Sequence, residues 1–136
     1  MDANAYLMFD GNCADAFKFY ESVLDAKIEH LSTFAGSPAA EHVPPEFGDK
    51  VLHATLSIGN TKLMASDAPP GQYKKPEGIS VALGLNDTAR GEQIFNALSE
   101  NGQVIMPYQQ TFWAAGFGMC VDRFGIPWMV NCEAPH

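Results

Sequence analysis

One order of elements occurs twice along this chain, and few architectures accept such a repeat. In the first half, AYLMF (Ala5–Phe9) precedes a helix whose Cys13, Phe17, Tyr20 and Leu24 step by four, three and four along one face. Asn12 occupies its N-cap position. In the second half, ISVALGL (Ile79–Leu85) precedes NDTARGEQIFNALSENG. There Asp87 is the N-cap, Ile94, Phe95 and Leu98 form the apolar stripe, and Gly102 suits the C′ position. A further apolar run follows each helix: AKIEHLSTF (Ala26–Phe34) and QVIM (Gln103–Met106). Each half closes on a hairpin. VLHATLSIG and TKLMASD flank a Gly59-Asn60 turn, and FGMCV and PWMVN flank DRFG. Laying Asn12 on Asp87 sets an offset of 75 residues and places Phe19-Tyr20 on Ile94-Phe95.

The expected fold is therefore α+β, with tandem βαβββ modules forming an open, curled mixed sheet. One domain, 1–136, is expected to hold a first module at 1–67, a linker at 68–78 and a second module at 79–136. The prolines of DAPPGQYKKPEG (Asp67–Gly78) favour an extended crossing between modules. AGSPAAEHVPPEFGDK (Ala35–Lys50), rich in Pro and Gly, reads as a long mobile loop.

Composition narrows the function. Hydrophobic residues make up 46% of the chain and charged residues 18%, enough apolar material for a packed core. A net charge of −8 repels phosphate backbones, so nucleic acid is not an expected partner. Cys13, Cys120 and Cys132 are odd in number and contain no C-x-x-C, which argues against a disulfide framework or thiol-rich zinc site. The N-terminus has no basic segment followed by an apolar one, and no run reaches membrane-spanning length. The expected setting is a reducing cytoplasm, away from membranes.

YLMFDGNCADAFKFY, HATLSIGNTKLMASD and above all TFWAAGFGMCVDRFGIPWMVN resemble the PhnB-like branch of the vicinal oxygen chelate superfamily, which includes glyoxalase I, fosfomycin-resistance proteins and extradiol dioxygenases. The resemblance spans nearly the whole chain and implies a homodimer whose strands curl around a pocket. It also implies where a metal would sit, since metal-using members place a His or Glu on the first and last strand of each module. Carried over, those positions are Ala5, Met64, Ser80 and Met129, and none supplies a donor for a hard divalent ion. Their neighbours Asn4, Tyr6, Leu63, Ala65, Ile79, Val81, Trp128 and Val130 include no His, Asp or Glu. No metal and no cofactor is therefore expected, as in the bleomycin-sequestering members. The branch also carries a demethylubiquinone methyltransferase label. GFG at 116–118 enters a strand rather than opening a helix, so it does not match a nucleotide-binding turn.

The pocket candidates are His53, Met64, Gln109, Trp113, Phe117 and Met129. His53 alternates with Thr55 and Ser57 on a polar strand face, as a pocket imidazole or a satisfied strand histidine. Gln109 and Gln110 lead into Thr111, Phe112 and Trp113, where an amide beside an indole suits ligand orientation. Trp113 has a second reading, as a plug in the barrel end. Gly116 and Gly118 mark a bulge or a close approach, and Trp128 reads as core or dimer interface. Met64 and Met129 would make a soft apolar floor. Asp67 and Asp122 read as turn caps, and Cys13 as inert core. His30 and His42 read as structural or loop residues, and His136 as tail. No catalytic triad or carboxylate pair stands out. The expected function is binding of a small apolar or aromatic molecule. The alternative is a metal-dependent lyase, transferase or dioxygenase that recruits its ion through other residues, such as His53, or a methyltransferase-like activity.

Overall fold

The computed structural model describes residues 1–133. Its contacts divide the chain into two compact units, Met1–Lys74 and Lys75–His136. Each described unit has the order strand, helix, three strands, which is the glyoxalase and bleomycin-resistance type of α+β fold.

In the first unit, β1 (Ala5–Phe9), α1 (Cys13–Val23), β2 (Lys27–Thr33), β3 (Val51–Ile58) and β4 (Thr61–Asp67) build an open mixed sheet of order β1-β4-β3-β2. β1 runs parallel to β4, and the other two pairings are antiparallel. Strand alternation divides the residues between two faces. Leu7, Phe9, Ala54, Leu56, Leu63 and Ala65 are buried on the face that α1 covers. Phe9 meets Phe17 of α1 edge-on, with centroids 6.2 Å apart. Burying each such ring contributes about 1.5–3 kcal/mol. Tyr6, Met8, His53, Thr55 and Met64 occupy the other face.

The second unit repeats the plan with β5 (Val81–Leu85), α2 (Thr88–Ser99), β6 (Gln103–Gln109), β7 (Ala114–Val121) and β8 (Pro127–Glu133), in the order β5-β8-β7-β6. Trp128, Val130, Cys132, Ala114 and Cys120 are buried with Ile94, Phe95 and Leu98 of α2. Trp128 is fully buried, which makes it core.

Several local expectations change. Asn12 precedes α1, but its side chain makes no capping bond. The acceptor is Asp67, whose Oδ1 takes the Cys13 N–H at 2.9 Å and whose Oδ2 takes the Val51 N–H at 2.8 Å. A carboxylate is the stronger acceptor and suits the positive end of the helix dipole. Asp87 caps α2 as expected, accepting the Arg90 N–H at 3.1 Å. Beyond α2 the left-handed residue is Asn101, at φ 59°, rather than Gly102. Gly102 is needed for space, because a Cβ there would run into the Val121 carbonyl oxygen. The stretch Ala35–Lys50 contains two 3₁₀ turns, Pro38–His42 and Pro45–Phe47. Phe47 packs against Phe34 at 5.2 Å, and Ala35 N–H bonds to the Gly48 carbonyl at 2.8 Å. β5 begins at Val81, so Ile79 and Ser80 precede it. β6 extends past Met106 to Gln109 through a register irregularity.

Gly91, Gly116 and Gly118 share one explanation. A Cβ at Gly116 would overlap the Tyr108 ring and hydroxyl, and one at Gly91 would come within 2.6 Å of that hydroxyl. A Cβ at Gly118 would come within 2.6 Å of the Phe95 ring. The glycines of GFG thus seat aromatic rings between β7 and its helix. Among the described residues, no helix is long and apolar enough to cross a membrane.

Candidate functional site

The six candidate residues lie on the helix-free faces of the two sheets: Gln109, Phe117 and Met129 on the second, with Trp113 beside them, and His53 and Met64 on the first.

On the second sheet, register places Met129 opposite Met119, and Met119 opposite Met106. Directly paired residues point to the same side, so three thioethers form one row across β8, β7 and β6. Ala82 of β5 completes it beside Met129. The adjacent row is Gly84, Asn131, Phe117 and Gln109. Neither row contains an ionisable side chain. Trp113 meets Phe117 edge-on at 5.3 Å, and Phe112 meets Trp113 at 4.9 Å. Trp113 is 48% exposed and Phe112 97%. A tight turn holds this pair in place: the Thr111 hydroxyl accepts the N–H groups of Trp113 and Ala114 at 3.3 and 3.0 Å.

On the first sheet, Met64 lies between Tyr6 of β1 and Thr55 of β3 in register. Tyr6 OH is 3.4 Å from His53 Nδ1, and Thr55 Oγ1 is 3.4 Å from His53 Nε2. The His30 ring lies 5.9 Å from that of His53. Ser66 bonds to the Met8 sulfur at 3.5 Å on the same face.

Register also revises the metal-position comparison. Ala5 alternates with Leu7 and Phe9, away from Met64, and the residue paired with Met64 is Tyr6. The residue paired with Met129 is Ala82, with Ser80 outside the strand. The two strand-end pairs are therefore Tyr6 with Met64 and Ala82 with Met129. Among the described residues, no three His, Cys, Asp or Glu side chains converge as a metal site. Sequence reasoning did not place Tyr6, His30, Met106, Met119 or Asn131 among the pocket candidates. Strand alternation counted from Leu7 and Trp128, plus cross-strand pairing, carries the signal that finds them.

A cavity of about 250 Å³ lies elsewhere in the first unit, at the start of α1. Asn12, Asp15, Asp49, Lys50 and Asp67 line it, and none of the six candidates does. Asn12 Oδ1 is buried there without a hydrogen-bond partner. The walls are too polar for an apolar ligand. His42 lies in the first 3₁₀ turn, exposed, and His136 lies outside the described residues.

The cysteines are not poised nucleophiles. All three are free and buried. Burial, and then the charge of Asp67, pushes the Cys13 thiol up to about 12. Burial also raises Cys120, with a Ser99 hydrogen bond opposing, and raises Tyr108.

Known proteins extend this picture. The family described as 3-demethylubiquinone-9 3-methyltransferase matches residues 2–131. The Escherichia coli (strain K12) protein YjdN is 36% identical over 139 residues, covering 96% of this chain and 95% of its own. The crystal structure of PA1353 from Pseudomonas aeruginosa is 45% identical, with TM-score 0.89 and 98% of each chain covered. The PhnB protein from Bacillus cereus, at 21% identity and TM-score 0.83, covers 98% of this chain and 100% of its own and shares the fold. So does the fosfomycin resistance protein FosX from Listeria monocytogenes, at 8% identity and TM-score 0.65, with 98% and 93% covered.

Proposed function

This chain belongs to the PhnB-like branch of the vicinal oxygen chelate superfamily, the family described as 3-demethylubiquinone-9 3-methyltransferase, and from that premise we propose that it binds a small, flat, apolar or aromatic molecule without a metal ion. The observation that carries the reading is the row of Met106, Met119 and Met129 beside Phe117 and Trp113. Thioethers are polarisable and adaptable, and aromatic edges favour a flat ring. Gln109, Trp113, Phe117 and Met129 are the proposed contacts on the second sheet; His53 and Met64 lie on the first sheet, in the other compact unit. The family description names a quinone-derived substrate, whose ring shape suits such a wall. Methyl transfer itself has less support, because Gly116 and Gly118 seat Phe95 and Tyr108 rather than a donor nucleotide.

Menadione, a flat quinone, is a suitable probe. Calorimetric titration should show binding, weakened about tenfold (about 1.4 kcal/mol) in Trp113→Ala and in Met119→Ala. Unchanged affinity in both variants sinks the reading. Metal independence rests on Tyr6, Met64, Ala82 and Met129 at the strand-end positions. Elemental analysis of untagged protein should find less than about a tenth of an equivalent of Zn, Ni, Mn or Fe. We place the protein in the cytoplasm as a homodimer. Support for the dimer comes from edge strand β6, which exposes Val104, Ile105 and Met106. Light scattering should give twice the chain mass, and a monomer would reject it.

A further inference from the structure

Tyr6, His30, His53 and Thr55 come from three strands of the first sheet and cluster on its helix-free face. Each His53 nitrogen faces a hydroxyl: Tyr6 OH at Nδ1 and Thr55 Oγ1 at Nε2, both at 3.4 Å. These bonds are long, near the outer limit of useful geometry, so re-aiming either hydroxyl costs little. In the neutral ring one nitrogen lacks a proton, and one hydroxyl must donate inward to it. In the protonated ring both nitrogens donate. Both hydroxyls then accept from the ring, and their own hydrogens are free to donate to a third party. The result is two O–H donors backed by a cation, with the His30 imidazole 5.9 Å away.

We propose that this cluster binds the carboxylate of a small organic acid, with His53 taking up a proton as it binds. Hydrogen bonds between charged groups are the stronger kind, so the anion stabilises the protonated ring. The other charged groups on this face are few. Glu29 on β2 accepts from Ser57 at 2.9 Å, and Lys27 on β2 and Lys62 on β4 each pair with Ser57 in register. All three lie toward the same end of the sheet, two cations beside one carboxylate. α1 covers the other face and contributes nothing here. The site is independent of ring binding by the second sheet: either can fail alone.

The test is calorimetry on the full chain with benzoate, and with benzamide as its neutral counterpart, at pH 7.5 in two buffers of different ionisation enthalpy. Benzoate should bind, and benzamide should bind at least about tenfold more weakly. The buffer dependence should report proton uptake in the wild type, because an anion held by the two hydroxyls favours the charged ring. His53→Gln should abolish that uptake and weaken benzoate about tenfold. Tyr6→Phe, which keeps the ring, should weaken it about threefold and leave benzamide unchanged. Trp113→Ala should leave benzoate affinity unchanged. No benzoate binding, equal affinity for benzamide, proton uptake that persists in His53→Gln, or loss caused by Trp113→Ala but not by His53→Gln would each overturn the proposal.

Discussion

The indole N–H of Trp128 donates to Oδ2 of Asp122 at 2.8 Å, and both side chains are buried. The other oxygen of the same carboxylate accepts the N–H groups of Phe124 and Ile126 at 2.8 and 3.0 Å. One side chain thus holds the β7–β8 turn and fixes the largest ring of the second core. Asp122→Ala would strand three buried or half-buried donors and should cost about 3–5 kcal/mol in urea unfolding. Combining it with Trp128→Phe should cost less than the sum of the two, because one orphaned donor disappears. An Asp122→Ala protein within about 1 kcal/mol of wild type would contradict this account.

The two tryptophans should respond differently to truncation. Trp128 is fully buried, so Trp128→Ala should cost about 3–5 kcal/mol. Trp113 is 48% exposed and packs edge-on to Phe117. Trp113→Ala should cost about 1 kcal/mol or less. Chemical denaturation of both variants decides it: equal losses would mean that TFWAAGF is core.

Gly116→Ala should destabilise by about 1–3 kcal/mol, because its Cβ would enter the space of the Tyr108 ring. Shortening the intruding ring with Tyr108→Ala should recover part of that loss in the double variant. Thermal melts of the two single variants and the double variant test the coupling. Additive losses would mean that Tyr108 is not what excludes a side chain at 116.

Alkaline pH should loosen the first unit. The Cys13 thiol is raised from 9.0 to about 12 in the folded protein, so folding favours its protonated form. Its contribution is fully present below pH 9 and is lost as the pH climbs from 9 towards 12. Urea midpoints at pH 8, 9.5 and 10.5 should therefore fall, and fall less steeply in Cys13→Ala. Cys120 and Tyr108 are shifted the same way, so some slope should remain. An identical slope in Cys13→Ala would rule Cys13 out as a source.

The fold was largely legible because its signals are local. Periodicity fixed both helices, Gly59-Asn60 fixed the first hairpin, and Asp87 announced α2 three residues before the N–H it accepts. The misses come from partners far along the chain. Nothing near Asn12 signals that Asp67 takes its place as cap. Gly102 reads locally as a turn residue yet answers to Val121, and at Gly116 and Gly118, which read as a bulge or a close approach, the approaching groups are the rings of Tyr108 and Phe95. The candidate faces were half legible. His53, Met64, Phe117 and Met129 followed from alternation and resemblance. Tyr6, Met106 and Met119 became visible only once cross-strand register was known.

The different origins of the two helix caps bear on the order in which the chain can assemble. α2 takes its cap from Asp87, so its first turn can close using neighbours alone. α1 takes its cap from a residue 54 positions away, at the end of the strand that pairs with β1. That bond cannot exist until the intervening chain has looped back and the loop-closure entropy has been spent. The two halves repeat one architecture, but the second helix can nucleate alone, whereas the first is completed only when its sheet is.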